Sequence, residues 1–119
     1  MGLTIEERAS GRVTVLDLVG KFTNDNGAER IKDKVNSLIA QGRTQIVLNL
    51  QDVPYIDSGG LGQLVASYGS VKKAGGSLKL LNVNSRNHDL LSITRLVTIF
   101  DSFDSESEAV QSFPALAHD

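Results

Sequence analysis

Hydrophobic and polar positions along this chain change period several times, and each change marks a new element. Residues 3–9 alternate, with Leu3 and Ile5 apolar between polar neighbours, which predicts a strand. Ser10-Gly11-Arg12 supplies a turn, and 13–19 forms a second, strongly apolar run, so the two are expected to make a hairpin. Gly20 ends it. Thr23-Asn24-Asp25-Asn26-Gly27 then reads as a loop rich in helix-capping residues. From Ala28 the apolar residues Ala28, Ile31, Val35, Leu38 and Ile39 recur at helical spacing, and Gln41-Gly42 closes that helix.

The second half repeats the alternation of strand and helix. Residues 45–50 are a third strand, and a helix is expected from about Gly60 to Ala74, with Leu61, Leu64, Val65, Tyr68 and Val71 on one stripe. Gly75-Gly76 terminates it before a fourth strand over 78–83. Ser85-Arg86-Asn87 opens a short third helix through Leu91 to Leu96, and 97–100 reads as a brief fifth strand. Ser105-Glu106-Ser107-Glu108 starts a last helix, with Ala109, Val110 and Phe113 inward, that stops at Pro114. The tail 115–119 is expected to be loose.

The order β-β-α-β-α-β-α-β-α predicts an α/β domain over 1–114. Its mixed, mostly parallel sheet should have four to five strands, right-handed crossovers and an antiparallel first hairpin. Asp17, Asn49 and Lys79 interrupt the apolar runs at strand centres. A sheet covered on both sides prefers continuous apolar strands. The four helices are therefore expected mainly on one face, with the other partly wet.

Composition narrows the function classes. A length of 119 residues suits one domain, and a formal charge of −2 offers no basic face for nucleic acid. The chain has no cysteine, which removes disulfides and thiolate chemistry and suits a reducing compartment. No apolar run approaches the roughly 18 residues of a bilayer span, and the N-terminus lacks the apolar core of a signal peptide. The expectation is a soluble cytoplasmic domain without membrane insertion.

Chemistry concentrates in Tyr55-Ile56-Asp57-Ser58-Gly59-Gly60-Leu61-Gly62, between the third strand and the second helix. A helix start presents unpaired backbone N–H groups that favour an anion, a phosphoryl group or a polar contact from a partner. The bland alternative is an ordinary cap at Asp57 or Ser58, contributing about 1 kcal/mol, with glycines that permit a tight turn. Asp57-Ser58-Gly59-Gly60 also matches the nucleophile segment of trypsin-like proteases, but both histidines, His88 and His118, follow the serine. Isoleucine at 56 replaces the first glycine of a hydrolase elbow, and the glycines lack phosphate-loop spacing. Two isolated histidines do not make a metal site, and His88 reads as a surface residue. Lys72-Lys73 reads as the solvated end of the second helix, where positive charge suits the dipole. No cofactor or metal is expected.

The segments 46–50, Val53-Pro54-Tyr55-Ile56-Asp57-Ser58-Gly59-Gly60-Leu61-Gly62 and Lys73-Ala74-Gly75-Gly76, followed by Leu78-Lys79-Leu80, resemble the STAS domain. Within that family they resemble the bacterial anti-sigma factor antagonists, over nearly the whole length. The resemblance implies a switch and not an enzyme. The unmodified antagonist binds an anti-sigma factor, typically a serine kinase, and frees a sigma factor; kinase and phosphatase control it through a hydroxyl at the start of the second helix.

Two departures matter. The residue after Asp-Ser, the usual phosphoacceptor, is here Gly59, which leaves Ser58 as the hydroxyl of the turn and the candidate acceptor. The family's acidic residue after the second strand is here Thr23, with Asp25 two positions on. By this resemblance the partner surface comprises Thr23, Asn24, Asp25, Asp57, Ser58, Gly59, Gly60, Leu61 and Gly62. Gly59 and Gly60 are expected to admit a partner's backbone closely. The alternative is a non-phosphorylated STAS scaffold, or an accessory subunit of a signalling complex or lipid transporter. The wet sheet face and the first edge strand are surfaces through which a homodimer could form.

Overall fold

The structure, a computed structural model, describes residues 2–114. β1 (Thr4–Ser10) and β2 (Val13–Val19) form the hairpin, followed by α1 (Ala28–Ala40), β3 (Gln45–Asp52) and α2 (Ser58–Lys73). β4 (Ser77–Leu81), α3 (Ser85–Ile93), a 3₁₀ turn (Leu96–Thr98), β5 (Ser102–Phe103) and α4 (Glu106–Gln111) complete the described chain. The sheet runs β1-β2-β3-β4-β5, antiparallel at the hairpin and parallel elsewhere.

Side-chain period two divides the strands cleanly. Leu16, Leu18, Ile46, Leu48, Leu50, Leu78 and Leu80 are sealed from solvent against Ile31, Val35, Leu38, Leu64, Val71 and Leu91 of α1, α2 and α3. Each such leucine stabilises the fold by roughly 2 kcal/mol. On the opposite face Val13, Val15, Val47 and Leu81 meet Ala109 and Phe113, so α4 covers only part of it. The remainder is a polar seam. Asn49 donates to Asp17 (2.8 Å), and Arg8 reaches both Asp17 (2.5 Å) and Glu106 of α4 (2.7 Å). Three helices on one face and a wet second face therefore match the interrupted apolar pattern.

Several boundaries move for physical reasons. The fifth strand is not at 97–100: residues 96–98 wind into the 3₁₀ turn and Phe100 sinks into the main core, edge-on to Tyr68 at 5.1 Å. Pairing with β4 falls instead on the polar stretch after it, where Leu80 N–H donates to Asp101 O and Asn82 N–H to Phe103 O. Burial of Phe100 outweighed local strand propensity. The third helix stops at Ile93 and not Leu96, because Thr94 Oγ1 folds back onto Leu90 O and Arg95 takes a φ of 64°. β4 ends at Leu81, two residues early, since Asn82 adopts a φ of 59°. α2 begins at Ser58, two residues before the expected Gly60.

The polar loop before α1 does not supply its cap. Gly27 occupies the N-cap position with φ 100° and makes no side-chain cap bond. Asn26 is used differently: its Oδ1 accepts from Leu3 N–H (2.8 Å) and its amide donates to Lys21 O (2.7 Å). The expected loose tail, 115–119, lies outside the described residues.

Candidate functional site

The register of β2 and β3 slips between Asp17 and Val19, so Asp17 faces Asn49 but Val19 faces Asp52. Such a bulge bends the outgoing strand and re-aims the residues beyond it. Past the slip the two chains stay zipped. Gly20 N–H donates to Asp52 O (3.0 Å), Phe22 N–H to Tyr55 O (3.0 Å) and Asp57 N–H to Phe22 O (3.3 Å). Phe22 is fully buried and forms an isolated parallel bridge with Ile56. This extension carries the 23–26 loop onto the start of α2.

Asp57 joins the two segments. It is the N-cap of α2, with extended backbone, and its Oδ1 accepts from Gly60 N–H at 2.7 Å. The same carboxylate accepts from Asn24 N–H, at 3.1 Å to Oδ1 and 3.4 Å to Oδ2. The capping reading of Asp57 and the two-segment reading of the site are thus met by one side chain.

The nine residues singled out from the sequence do come together, but not all face outward. Asn24, Asp25, Ser58 and Gly62 are exposed, Thr23, Asp57 and Gly59 are half-buried, and Gly60 and Leu61 are buried. The close approach that the glycines permit is made by the chain's own loop. A Cβ at Gly60 would collide with Phe22 O and lie 2.9 Å from its carbonyl carbon. One at Gly59 would overlap Asn24 Cβ and sit 2.9 Å from its Cα. Asp25 stands at the loop tip, and the carboxylate that reaches across to the loop is Asp57.

Further residues brace the turn, and no pattern in the sequence marks them for that role. Asn84 and Asn87 both donate to Val53 O, at 3.2 and 2.8 Å, and Asn87 is only 1 % exposed. Arg86 lies over the Tyr55 ring at 4.7 Å from its centroid. Asn84-x-x-Asn87 is legible as a capping pair, since Asn87 N–H donates to Asn84 Oδ1 (2.8 Å), but its reach to Val53 is not. A groove of about 270 Å³ lies between the turn and α3, lined by Tyr55, Ile56, Arg86, Leu90 and the exposed Ile93. His88 is exposed on α3, and Lys72 and Lys73 are exposed in the last turn of α2. Among the described residues no three His, Asp or Glu side chains gather as a metal site, and no helix is long and apolar enough to cross a membrane.

Comparison with known proteins agrees with this architecture. Residues 4–109 match the family model described as the STAS domain. The chain is 41 % identical over 81 residues to the anti-sigma-B factor antagonist of Bacillus subtilis, covering 68 % of this chain and 73 % of that one. It is 27 % identical over 111 residues to the anti-sigma F factor antagonist of Paenibacillus polymyxa, covering 92 % and 94 %. A solved structure of a candidate anti-sigma factor antagonist from Thermotoga maritima superposes with a TM-score of 0.85 at 28 % identity, covering 92 % of this chain and 93 % of that chain. With nearly its whole length matched in sequence and in fold, the chain belongs to the STAS domain family.

Proposed function

We propose that this protein is an anti-sigma factor antagonist that acts in the cytoplasm by docking an anti-sigma factor of the serine-kinase type. The names of its relatives support the role. The observation that carries the location is the Asp57 carboxylate, which ties the 23–26 loop and the start of α2 into one surface. Asn24, Asp25, Ser58 and Gly62 are its exposed members, and Ser58 stands at the first helical position.

Ser58 is the proposed phosphoacceptor, with a serine phosphatase reversing the modification. A phosphate there adds a charge of about −1.5 to −2. Facing solvent, it is tolerated by the N–H groups of the helix start. Buried against a partner without a cation, it is costly, so the complex dissociates. The experiment is direct: mix the protein with kinase-type anti-sigma factors from the same genome, then incubate with ATP and locate any phosphate by mass. Binding to one of them, with a phosphate-sized mass gain at Ser58 that Ser58→Ala abolishes, is the expected result. Ser58→Asp is expected to weaken binding at least tenfold with the fold retained. Failure to bind any such factor would remove the proposal.

The packing of Asn24 against Gly59 favours a second reading, in which the domain binds without a phosphorylation switch. That scaffold or accessory subunit, of a signalling complex or a lipid transporter, would bind its partner yet gain no mass with kinase and ATP.

A further inference from the structure

Glycine in a helix usually answers a conformational need or marks a cost. Gly59, second residue of α2, is not among the residues with positive φ, so its backbone makes no demand for glycine. Alanine at such a place ordinarily stabilises, because it restricts the unfolded chain. Here the space is taken. A Cβ on Gly59 would overlap Asn24 Cβ, with Asn24 Cα at 2.9 Å and Cγ at 3.0 Å. These are atoms at the root of the side chain and in the backbone, not a flexible tip that could swing aside. The loop also has no slack to retreat. Asn24 N–H is held by the Asp57 carboxylate that caps Gly60, and Thr23 and Asn26 close on each other through N–H···O bonds of 2.9 and 3.1 Å.

We infer that Asn24 and Gly59 form an interlock in which the root of Asn24 fills the socket left by the missing side chain, making Asn24 the positioning residue of the docking surface. The loop and the start of α2 are thereby held as one preformed body, so that little ordering remains to be done on binding. Position 59 cannot carry a modifiable hydroxyl while the loop is seated. The interlock is a property of the free protein; only its consequence for docking rests on the function proposed above.

The test is the sign of Gly59→Ala in three backgrounds, read by thermal melting and by amide hydrogen exchange across 23–26 and 58–60. In the parent chain Gly59→Ala is expected to lower Tm by about 5 °C and to speed exchange in both segments. With Asn24→Ala the loss persists, because alanine keeps the offending Cβ. With Asn24→Gly the same substitution leaves Tm unchanged or raises it, and exchange returns to that of Asn24→Gly alone. A rise in Tm in the parent, or equal rescue by Asn24→Ala and Asn24→Gly, would overturn the interlock. Binding to a kinase-type anti-sigma factor should fall at least fivefold with Gly59→Ala and recover in the Asn24→Gly background. Full affinity alongside the predicted exchange pattern would leave the interlock standing and move the docking surface elsewhere.

Discussion

The starts of α1 and α2 lie side by side yet are built by opposite means. α1 is approached through Gly27, left-handed at φ 100° and without a side-chain cap, pressed against Leu3 so closely that a Cβ would overlap the leucine side chain. α2 is approached through Asp57, extended, whose carboxylate takes one N–H from its own helix and one from the neighbouring loop. The first is set by steric fit to a core residue and shows nothing to solvent but the peptide chain. The second is set by polar bonds near the surface, where they are legible to a partner. A helix start can thus serve packing or recognition, and the residue at the cap decides which.

The largest expected effect breaks the steric start. Gly27→Ala should cost about 2–4 kcal/mol, from left-handed backbone strain together with overlap on Leu3, read as a fall in urea midpoint. Asp57→Ala is expected to cost about 1–2 kcal/mol, since Gly60 and Asn24 both lose their acceptor, while Asp57→Asn retains an acceptor and most of the stability. Near equality of Gly27→Ala with Asp57→Ala would erase the contrast between the two starts.

A control lies on the far face of the sheet. Arg8 holds the carboxyls of Asp17 and Glu106 below their usual range, chiefly through direct hydrogen bonds, with Asn49 adding to the effect at Asp17. Because those folded values are lowered, their stabilisation is complete above the ordinary carboxylate range and is lost as pH falls through the folded values. Arg8→Ala should cost about 1 kcal/mol at neutral pH, the exposed ends of the network being screened. It should also flatten the acid limb of a stability–pH curve without touching exchange at 23–26. The smallest effect is expected at Ser58: alanine there should change the stability of the free protein by less than about 0.5 kcal/mol, as it is exposed. A larger loss would show that its hydroxyl is structural.

Much of the architecture is legible because it is written in period. Ile31, Val35 and Leu38 of α1, and Leu61, Leu64 and Val71 of α2, are spaced as a buried stripe and are buried. Asp17, Asn49 and Lys79 break the apolar strands and do share the partly wet face, where Lys79 lies over Phe113 at 4.6 Å and donates to Ser112 Oγ at 2.9 Å. β5 escapes the pattern for the complementary reason. Ile99 and Phe100 look like strand, but Phe100 had a core to fill and a polar pair took its place at the sheet edge.

The amino-acid order alone determined the succession of elements, the division of the sheet into a dry and a wet face, and the cap at Asp57. Those depend on contacts between residues a few positions apart, or on a periodicity that any folded context must respect. It also placed Thr23–Asp25 and 57–62 in one surface, though only through resemblance. What the tertiary structure decided is which of these residues face outward and why position 59 is empty. Asn24 meets Gly59, and Asn87 meets Val53, across more than thirty residues of chain, after a one-residue slip between β2 and β3. No local preference encodes such a slip, because its energy lies in the register of two strands and appears only when both are paired.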